Sequence, residues 1–396
     1  MISFEEAREM IFSYLPERRI ESVSLDKALN RTLAEPVFCP ADAPPFDQSA
    51  MDGYAIRYTG GRGNTEFKIV GSIPAGKISL RRLGKHEAIR IFTGAPLPTG
   101  SDTVVMQEKV ELLEGKIRIQ PSGLVKGSNV RKKGSHVPEG KMVLESGSKI
   151  TAGGIGLLAS LGIDKVKVYR HPIVSVIITG DELTRPGIKL KPGCIYESNS
   201  YALTAALCSS GLTSKIHMYR ARDNKAVLKS TISEALLNCE ILIITGGVSV
   251  GDFDLVKPTL EELKAEVVFH KVKQKPGKPF LFAHKGRKLI FGLPGNPASV
   301  LSCYFAYIAP ALDRITGSAV ITEKLMCSEN FIEPRLGLTL LLKARTEDGR
   351  VHLLNDQESY KLNSFASANA LAVIDPGQPV VQKGHKIKVL QFLPAY

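Results

Sequence analysis

Between residues 172 and 299, short apolar, β-branched runs alternate with segments of helical periodicity, and this alternation constrains the fold more than any other feature. The runs begin at Ile173, Lys215 and Ile241, and one helical segment lies between each run and the next. Strands joined in this way run parallel, with right-handed crossovers. The sequence therefore predicts a three-layer α/β domain with a parallel-rich sheet, whose ligands bind beyond the carboxyl ends of the strands.

Three loops suited to anion binding follow one another at predicted strand ends, at 245–254, 275–279 and 292–299. Glycine lets backbone N–H groups approach a ligand, and a helix that begins after such a loop adds about half a positive charge. This pattern predicts phosphate binding. The residues that we expect to shape the ligand-binding backbone are Gly246, Gly247, Ser249, Gly251, Pro294 and Gly295.

Asp252 and Asp254 lie two residues apart in the first loop, so their carboxylates could hold Mg²⁺ against a bound phosphate. In isolation such residues are more simply explained as solvated turn aspartates, and Asp252 would also suit the N-cap of the next helix. The neighbouring glycines favour the metal site.

In the second loop, Lys275 and Lys278 flank a Pro-Gly pair that stiffens the backbone, and this predicts a fixed pair of cations for an oxyanion or phosphate. In the third loop, helix capping by Asn296 and Pro297 is a sufficient explanation for both residues.

Glu182 and Asp223 follow two other predicted strands. Each could orient hydroxyl or amine groups of a heterocycle, or could cap a helix. No arrangement of serine, histidine and aspartate matches a nucleophile motif, which argues against covalent catalysis.

The chain has 396 residues and a formal charge of +13, which favours an anionic partner. No basic run is longer than Arg131-Lys-Lys, and zinc-finger and aromatic RNA-binding patterns are absent from the sequence, so we expect no nucleic acid. Six cysteines without a C-x-x-C pair predict reduced thiols in the cytoplasm. The longest apolar run, 298–312, is shorter than a membrane span and predicts a buried or dimer-interface helix.

The changes in pattern along the chain predict four domains. Short helices are expected from a Ser3/Glu6 capping box, over 26–33, and between Thr151 and Gly162. An Asp348-Gly turn predicts a hairpin near the C-terminus. The predicted domains are a discontinuous helical and extended N-terminal domain (1–45 and 141–170), an inserted β-rich module (46–140), the α/β domain (171–320) and a C-terminal β-barrel (321–396).

Two further loops, in the β module, are too specific to be explained by packing, and they carry Asp52 and Thr93. Together with the loops above, they resemble the molybdopterin molybdenumtransferase family, the MoeA proteins and the gephyrin E domain. Seven stretches occur in the family's order and extend the resemblance from residue 2 to about residue 367. They are 44–55, 93–98, 179–183, 196–199, 246–254, 275–279 and 292–297.

This resemblance implies a homodimer whose site lies between the α/β domain of one subunit and the β module of the other. It implies Mg²⁺-dependent cleavage of adenylylated molybdopterin and insertion of the metal of molybdate into the dithiolene. A molybdopterin adenylyltransferase and molybdoenzymes would be the protein partners. The pairing of a nucleotide-linked phosphate with a tetrahedral dianion accounts for both the glycine loops and the lysine pair.

The family's site positions match a set of residues in this sequence, with three departures. Gln48 stands where asparagine is usual, His136 where an acidic residue is common, and Lys343 or Arg345 would replace an arginine of the last domain. The matching residues are Asp52, Thr93, Arg131, Glu182, Asp223, Asp254, Lys271, Lys275, Pro294 and Pro297, with Ser364 and Ser367 from the last domain.

Two other functions stay open at this point. A protein that only binds or adenylylates molybdopterin would need the α/β loops but not Asp52 or Thr93. A non-enzymatic scaffold would need a partner groove, and the sequence shows no linker or companion domain for one. Neither the choice between molybdenum and tungsten nor the role of His136 follows from the sequence.

Overall fold

A computed structural model describes residues 1–60, 65–119, 124–248 and 254–392. The chain forms two compact units. The first comprises residues 1–22, 30–34 and 167–396, and the second comprises residues 23–29 and 35–166. The second unit is thus an insertion in the sequence of the first.

The first unit contains a six-stranded sheet with four parallel strands, three of which are those that the alternating pattern predicts; the fourth is Lys288–Leu293. Two antiparallel strands complete the sheet at one edge. The spatial order is Lys215–Ala221, Ile173–Thr179, Ile241–Thr245, Lys288–Leu293, Leu281–Lys285 and Glu266–His270.

Helices cover both faces of this sheet, so its central strands are buried on both sides. One face packs against the helices Phe4–Ser13, Asn199–Ser210 and the long helix 297–316. The other packs against Lys225–Leu237 and Val256–Glu262. The prediction of a three-layer α/β domain is confirmed.

The long helix 297–316 corresponds to the apolar run 298–312. It consists of Pro297–Cys303, a π-helical turn Tyr304–Ile308 and Ala309–Thr316. Tyr304 and Tyr307 on the π-helical turn are fully buried. No helix in the described residues is long and apolar enough to span a membrane.

The C-terminal strands close into a five-stranded barrel, as predicted, through pairing of Thr339–Glu347 with both Arg350–Leu353 and Ala370–Ile374. Ile321–Ser328 and Lys386–Phe392 complete it. Asp348 and Gly349 both adopt positive φ at the predicted hairpin turn. A two-residue strand, Gln274–Lys275, adds to this sheet, although the sequence had indicated only a loop there.

The second unit contains its own six-stranded, mostly antiparallel sheet, in agreement with an inserted β module. Thr151 caps the helix Ala152–Ser160 as predicted. The strands of the sheet, in spatial order, are Thr103–Met106, Gly53–Ile56, Glu87–Ile91, Glu66–Ile73, Lys116–Ile119 and Val110–Leu113.

The helix predicted over 26–33 is wrong. Only a 3₁₀ turn, Leu25–Lys27, forms there, because Asn30 has a left-handed backbone with φ of 62° and Leu33 bridges to Val168. By contrast, the Ser3/Glu6 capping box is present with both of its hydrogen bonds. The boundaries proposed above for the four domains stay predictions.

The remaining short elements lie outside these larger sheets. They are the strands Ile20–Ser24, Val37–Phe38, Gln48–Ser49, Val130–Arg131, Met142–Leu144, Lys165–Tyr169, Leu183–Thr184 and Ile195–Tyr196, and the 3₁₀ turns Gln107–Lys109 and Asn363–Ala366.

Candidate active site

A cleft of about 560 Å³ lies at the carboxyl ends of the parallel strands. The register of the sheet places Thr179, Thr245 and Leu293 side by side at the strand ends, so the loops that follow them meet at one edge. Gly246 lies so close to the first strand that an added Cβ would be 2.7 Å from the Thr179 hydroxyl, and its φ of +86° also requires glycine. Two loops are thereby held against each other at the base of the cleft.

Eight of the predicted site residues line this cleft. Its charged lining side chains are all acidic: Glu182, Glu197 and Asp223. No lysine or arginine lies among its described lining residues. The cleft thus suits a ligand rich in N–H groups at least as well as an anion. The eight predicted residues are Glu182, Asp223, Gly246, Gly247, Pro294, Gly295, Asn296 and Pro297.

Asp223 is not a helix cap. The helix that follows is capped by Asn224, whose side chain accepts from two backbone N–H groups, those of Ala226 and Val227. Asp223 instead accepts from the backbone N–H of Asp181 at 3.4 Å and stays exposed at the cleft. Glu182 is also exposed. Of the two alternatives left open for Asp223, the structure removes helix capping.

In the third loop, two backbone N–H groups at the start of the helix are already bonded within the protein, so the helix start does not support phosphate binding there, and the binding role of this loop stays a prediction. The backbone N–H groups of Ala298 and Ser299 both donate to the carbonyl oxygen of Ser359, at 3.0 and 3.2 Å. Asn296 occupies the N-cap position without capping through its side chain, which donates to the Ser359 hydroxyl at 2.9 Å. Pro297 is at the first turn as predicted.

Ser359 belongs to residues 356–361 of the barrel, which we call the covering segment. Lys343, only 1% exposed, holds this segment from below: its ammonium group donates to the carbonyl oxygens of Asp356, Glu358 and Lys361. Burial lowers the pKa of Lys343. Lys343 is therefore not free to take the place of the family's arginine at the site, because its three donors are already bonded.

The lysine loop, Gln274–Lys278, lies beside the cleft, and its neighbour Pro279 lines it. Lys275 and Lys278 are exposed, and neither forms an ion pair with a described residue. Lys271, at the end of the adjacent strand, adopts φ of 81° and donates its backbone N–H to Phe280. The lysine pair predicted from the sequence is thus available to an anion.

Asp254 is the first described residue after the segment 249–253 of the first loop. Its Oδ2 is 4.0 Å from Nε2 of His270, while its Oδ1 is buried without a hydrogen-bond partner among the described residues. Burial raises the pKa of Asp254, and His270 partly offsets that rise. An unpartnered carboxylate oxygen fits cation binding. No group of three or more His, Cys, Asp or Glu side chains within the described ranges is arranged to hold a metal.

Within the second unit, Asp52 and Thr93 are brought together. Oδ1 of Asp52 accepts from the backbone N–H of Thr93 at 2.8 Å and from its hydroxyl at 2.7 Å. These bonds, with Arg90 nearby, hold the pKa of Asp52 below its ordinary value. Arg131 lines a different cavity, of about 790 Å³, together with His136 and Gln48.

The remaining predicted residues are not in the cleft. Ser364 is buried and its hydroxyl donates to the Asp356 carbonyl at 3.0 Å, so it supports the covering segment. The Ser367 hydroxyl donates to the Ser364 carbonyl at 3.4 Å. Ser249, Gly251 and Asp252 lie outside the described residues, although the helix that follows them begins at Val256 with Leu255, not Asp252, as its N-cap.

The sequence reasoning missed four residues at the cleft. Glu197 and Asn199 are buried in its wall, and the Asn199 amide donates to the Gly295 carbonyl at 2.8 Å. Ser359 and Tyr360 come from the barrel. Glu197 and Asn199 lie in the stretch 196–199, and the resemblance of that stretch to the family could have identified them. Nothing local in the sequence marks the other two.

Three family models match the chain. The MoeA N-terminal region (domain I and II) matches residues 2–162, a probable molybdopterin binding domain matches 175–314, and the MoeA C-terminal region (domain IV) matches 338–392.

Similar proteins cover the whole chain. A molybdopterin molybdenumtransferase of Nostoc sp. is 35% identical over 99% of this chain and 94% of its own length, and one from Haemophilus influenzae is 33% identical over 99% of both. The solved structure of a molybdopterin biosynthesis MoeA protein from Pyrococcus horikoshii matches with a TM-score of 0.83 and 33% identity over 100% of both chains. With these relatives and an α/β cleft of the expected design, the chain belongs to the molybdopterin molybdenumtransferase family.

Proposed function

We propose that this protein binds adenylylated molybdopterin in the cleft, cleaves its pyrophosphate bond with the help of Mg²⁺, and transfers the metal of molybdate to the dithiolene. The molybdate would bind at Lys275 and Lys278. The names of the similar proteins support a transferase of molybdenum cofactor synthesis. The assignment of steps to residues is our own.

The observation that carries this proposal is the separation of two chemically different surfaces at one edge of the sheet. The cleft has acidic acceptors and no described basic lining residue, whereas the lysine loop beside it has two exposed cations that pair with no residue in the described part of the chain. A pterin ring presents N–H donors, which carboxylates such as Glu182 and Asp223 accept. Molybdate is a tetrahedral dianion and requires cations. Two such substrates would use both surfaces at once.

The remaining groups fit the proposed cleavage. Asp254, with Asp252, would hold Mg²⁺, which supplies positive charge to the phosphate oxygens when it is bound. Backbone N–H groups of Gly246 and Gly247 would contact phosphate oxygens. The two hydrogen bonds from Thr93 favour the ionised form of Asp52, so its carboxylate would be suited to accept a hydrogen bond from a donor at the reacting phosphate.

Substitutions of Asp254 and Lys275 test the proposal. Asp254→Asn and Lys275→Ala should keep the fold and lose molybdate-dependent cofactor formation from purified adenylylated molybdopterin. Lys285→Ala removes an exposed lysine of the neighbouring strand and serves as the control. Full activity in both site variants would refute the assignment. Parallel assays with tungstate would establish metal selectivity.

We further propose that the protein is a homodimer whose site combines the cleft of one subunit with the Asp52 loop of the other. Mixing the inactive Asp52→Asn and Asp254→Asn variants tests this. Random exchange between symmetric dimers should restore about a quarter of the sites, each with one unaltered cleft and one unaltered Asp52 loop. Complete inactivity of a mixture shown to contain heterodimers would place both residues in one subunit's site.

An effect of Asp52→Asn on metal insertion would also exclude a protein that only binds or adenylylates molybdopterin. As partners we propose a molybdopterin adenylyltransferase, which would supply the substrate, and molybdoenzymes, which would receive the product. These reactions would take place in the cytoplasm.

A further inference from the structure

The lysine loop rests on a buried side-chain amide. Gln274 is 1% exposed and immediately precedes Lys275. Its Nε2 donates to the carbonyl oxygens of Pro276 and Gly277, at 3.1 and 3.2 Å. These are the two residues between the lysines. One amide group therefore holds the backbone that separates the two cations.

This amide is oriented by Tyr307. The hydroxyl of Tyr307, which is fully buried on the π-helical turn, donates to Oε1 of Gln274. Burial raises the pKa of Tyr307 well above its ordinary value, so the phenol keeps the proton that it donates. Because Oε1 is taken by the phenol, the Nε2 of Gln274 faces the loop carbonyls.

The helix beneath the loop leaves it little room. Gly277 adopts φ of +86°, and a Cβ at this position would lie 2.5 Å from Sγ of Cys303. The backbone N–H of Val272 donates to the Lys278 carbonyl at 3.0 Å and closes the base of the loop. The hydrogen bonds and the steric contact thus favour the same loop conformation.

Apolar residues would satisfy the packing requirements of this region more simply. The Tyr307 ring already stacks on Phe280 with centroids 4.4 Å apart and contacts Phe4 at 5.4 Å. Burying a polar pair costs desolvation that an apolar pair of similar shape avoids. A fully bonded polar network specifies one conformation, and here the group whose conformation it specifies is the loop with the exposed lysines.

We propose that Gln274 and Tyr307 are positioning residues of the oxyanion site. The Tyr307 hydroxyl orients the Gln274 amide, the amide fixes the backbone between Lys275 and Lys278, and the fixed loop sets the affinity for a tetrahedral dianion. A mobile loop would lose conformational entropy on binding, and the dianion would bind more weakly by that amount. The proposal rests on the function proposed above, in which this loop binds molybdate.

Two tyrosines of the same helical turn provide a matched test. Tyr307→Phe removes the hydroxyl that orients Gln274. Tyr304→Phe removes the hydroxyl of another fully buried tyrosine, which donates to the Ala206 carbonyl at 3.2 Å instead. Molybdate binding to each full-length variant would be measured by calorimetry, and the KM for each substrate by steady-state assay.

Tyr307→Phe should weaken molybdate binding about fivefold or more, the equivalent of one buried hydrogen bond, and leave the KM for adenylylated molybdopterin unchanged. Tyr304→Phe should change neither value more than about twofold. Equal molybdate affinities in the two variants would overturn the proposal.

The double variant Tyr307→Phe/Gln274→Leu separates positioning from stability. It removes the acceptor that Tyr307→Phe alone leaves unpaired, but it also removes the donor to the Pro276 and Gly277 carbonyls, so the free energy of unfolding of both variants is measured alongside molybdate binding. The double variant should bind molybdate no better than Tyr307→Phe does, because the loop carbonyls have lost their donor. Recovery of molybdate affinity in the double variant would show that stability, not positioning, had caused the loss.

The binding measurement also separates this inference from the proposed function. A wild-type protein that binds molybdate, with Tyr307→Phe indistinguishable from Tyr304→Phe, would overturn the positioning role alone. A wild-type protein that neither binds molybdate nor consumes adenylylated molybdopterin would overturn both.

Discussion

Replacement of Lys343 by methionine should release the covering segment from the cleft. The ammonium group of Lys343 is buried and donates to three carbonyl oxygens, two of them at 3.3 and 3.0 Å. Methionine fills a similar volume without any donor. An orphaned buried carbonyl costs about 1–3 kcal/mol, while removal of a buried charge recovers part of its desolvation cost. For the three carbonyl oxygens together this cost is about 3–9 kcal/mol. Because the segment lies at the surface and water can reach it after opening, we expect a net loss near the lower end of that range, about 3 kcal/mol.

Hydrogen exchange at residues 298 and 299 measures this loss directly. The backbone N–H groups of Ala298 and Ser299 are bonded to the Ser359 carbonyl of the covering segment, so they exchange when the segment opens. A loss of about 3 kcal/mol corresponds to a roughly hundredfold increase in their exchange rate. Amides in the strand Ile241–Thr245 should keep their protection.

Glu358→Gln is the matched control. It removes only the ion pair between Glu358 and Lys361, at 3.2 Å, whose two side chains are 51% and 31% exposed. Such a pair contributes about 0–1 kcal/mol, so exchange at Ala298 and Ser299 should rise less than about fivefold. If Lys343→Met changes the exchange no more than this control does, Lys343 does not hold the segment.

Three further changes test other parts of the structure. Gly277→Ala should lower the free energy of unfolding by about 2–4 kcal/mol in denaturant titrations, because the added Cβ would lie 2.5 Å from the buried Sγ of Cys303. Gly295→Ala is the control: a Cβ there would have no atom within 4 Å, so the free energy of unfolding should change by less than about 1 kcal/mol. Burial lowers the pKa of His171 to about 4, below the ordinary value of 6.5, so its contribution to stability is complete above about pH 6.5 and is lost as the pH falls towards 4. His171→Leu should flatten the pH dependence of unfolding in that window, and an unchanged slope would contradict this. Thr93→Val should raise the pKa of Asp52 towards its ordinary value in an NMR titration, since it removes one of the two bonds from Thr93.

Patterns within a few residues predicted the local structure well. The capping residues Ser3 and Thr151 and the Asp348-Gly turn fix their elements through neighbouring atoms, so single-sequence reasoning finds them. The helix expected over 26–33 failed because periodicity does not register a left-handed residue such as Asn30 or a bridge from Leu33 to a distant strand.

Contacts between distant parts of the chain were not predictable in the same way. The pairing of Gln274–Lys275 with Thr339 and Leu340 joins segments about 65 residues apart, and neither segment shows a local signal for it. Lys343 follows three leucines and would ordinarily extend its side chain to water. Its burial makes sense only once the three carbonyl groups of the covering segment are in place.

The sequence predicted which residue types would lie at the candidate site, but not which contacts each loop would make there. The lysine pair and the acidic residues Glu182 and Asp223 were predicted from local patterns, and the structure places the acidic pair in the cleft and the lysines beside it. The sequence could not show that Ser359 would occupy the start of the third loop's helix, because that residue comes from the barrel, about 60 positions later.

The Ser359 carbonyl oxygen accepts hydrogen bonds from the N–H groups of Ala298 and Ser299, so the barrel would compete with any anion for these two donors. The same two N–H groups cannot serve both, so an anion could bind there only after displacing the covering segment. Binding of the anion and packing of the covering segment against the helix would then be negatively coupled, so that each lowers the equilibrium constant of the other by the same factor. A phosphate or oxyanion that exploited this exchange would open the cleft at its barrel side, which would provide a route for product release.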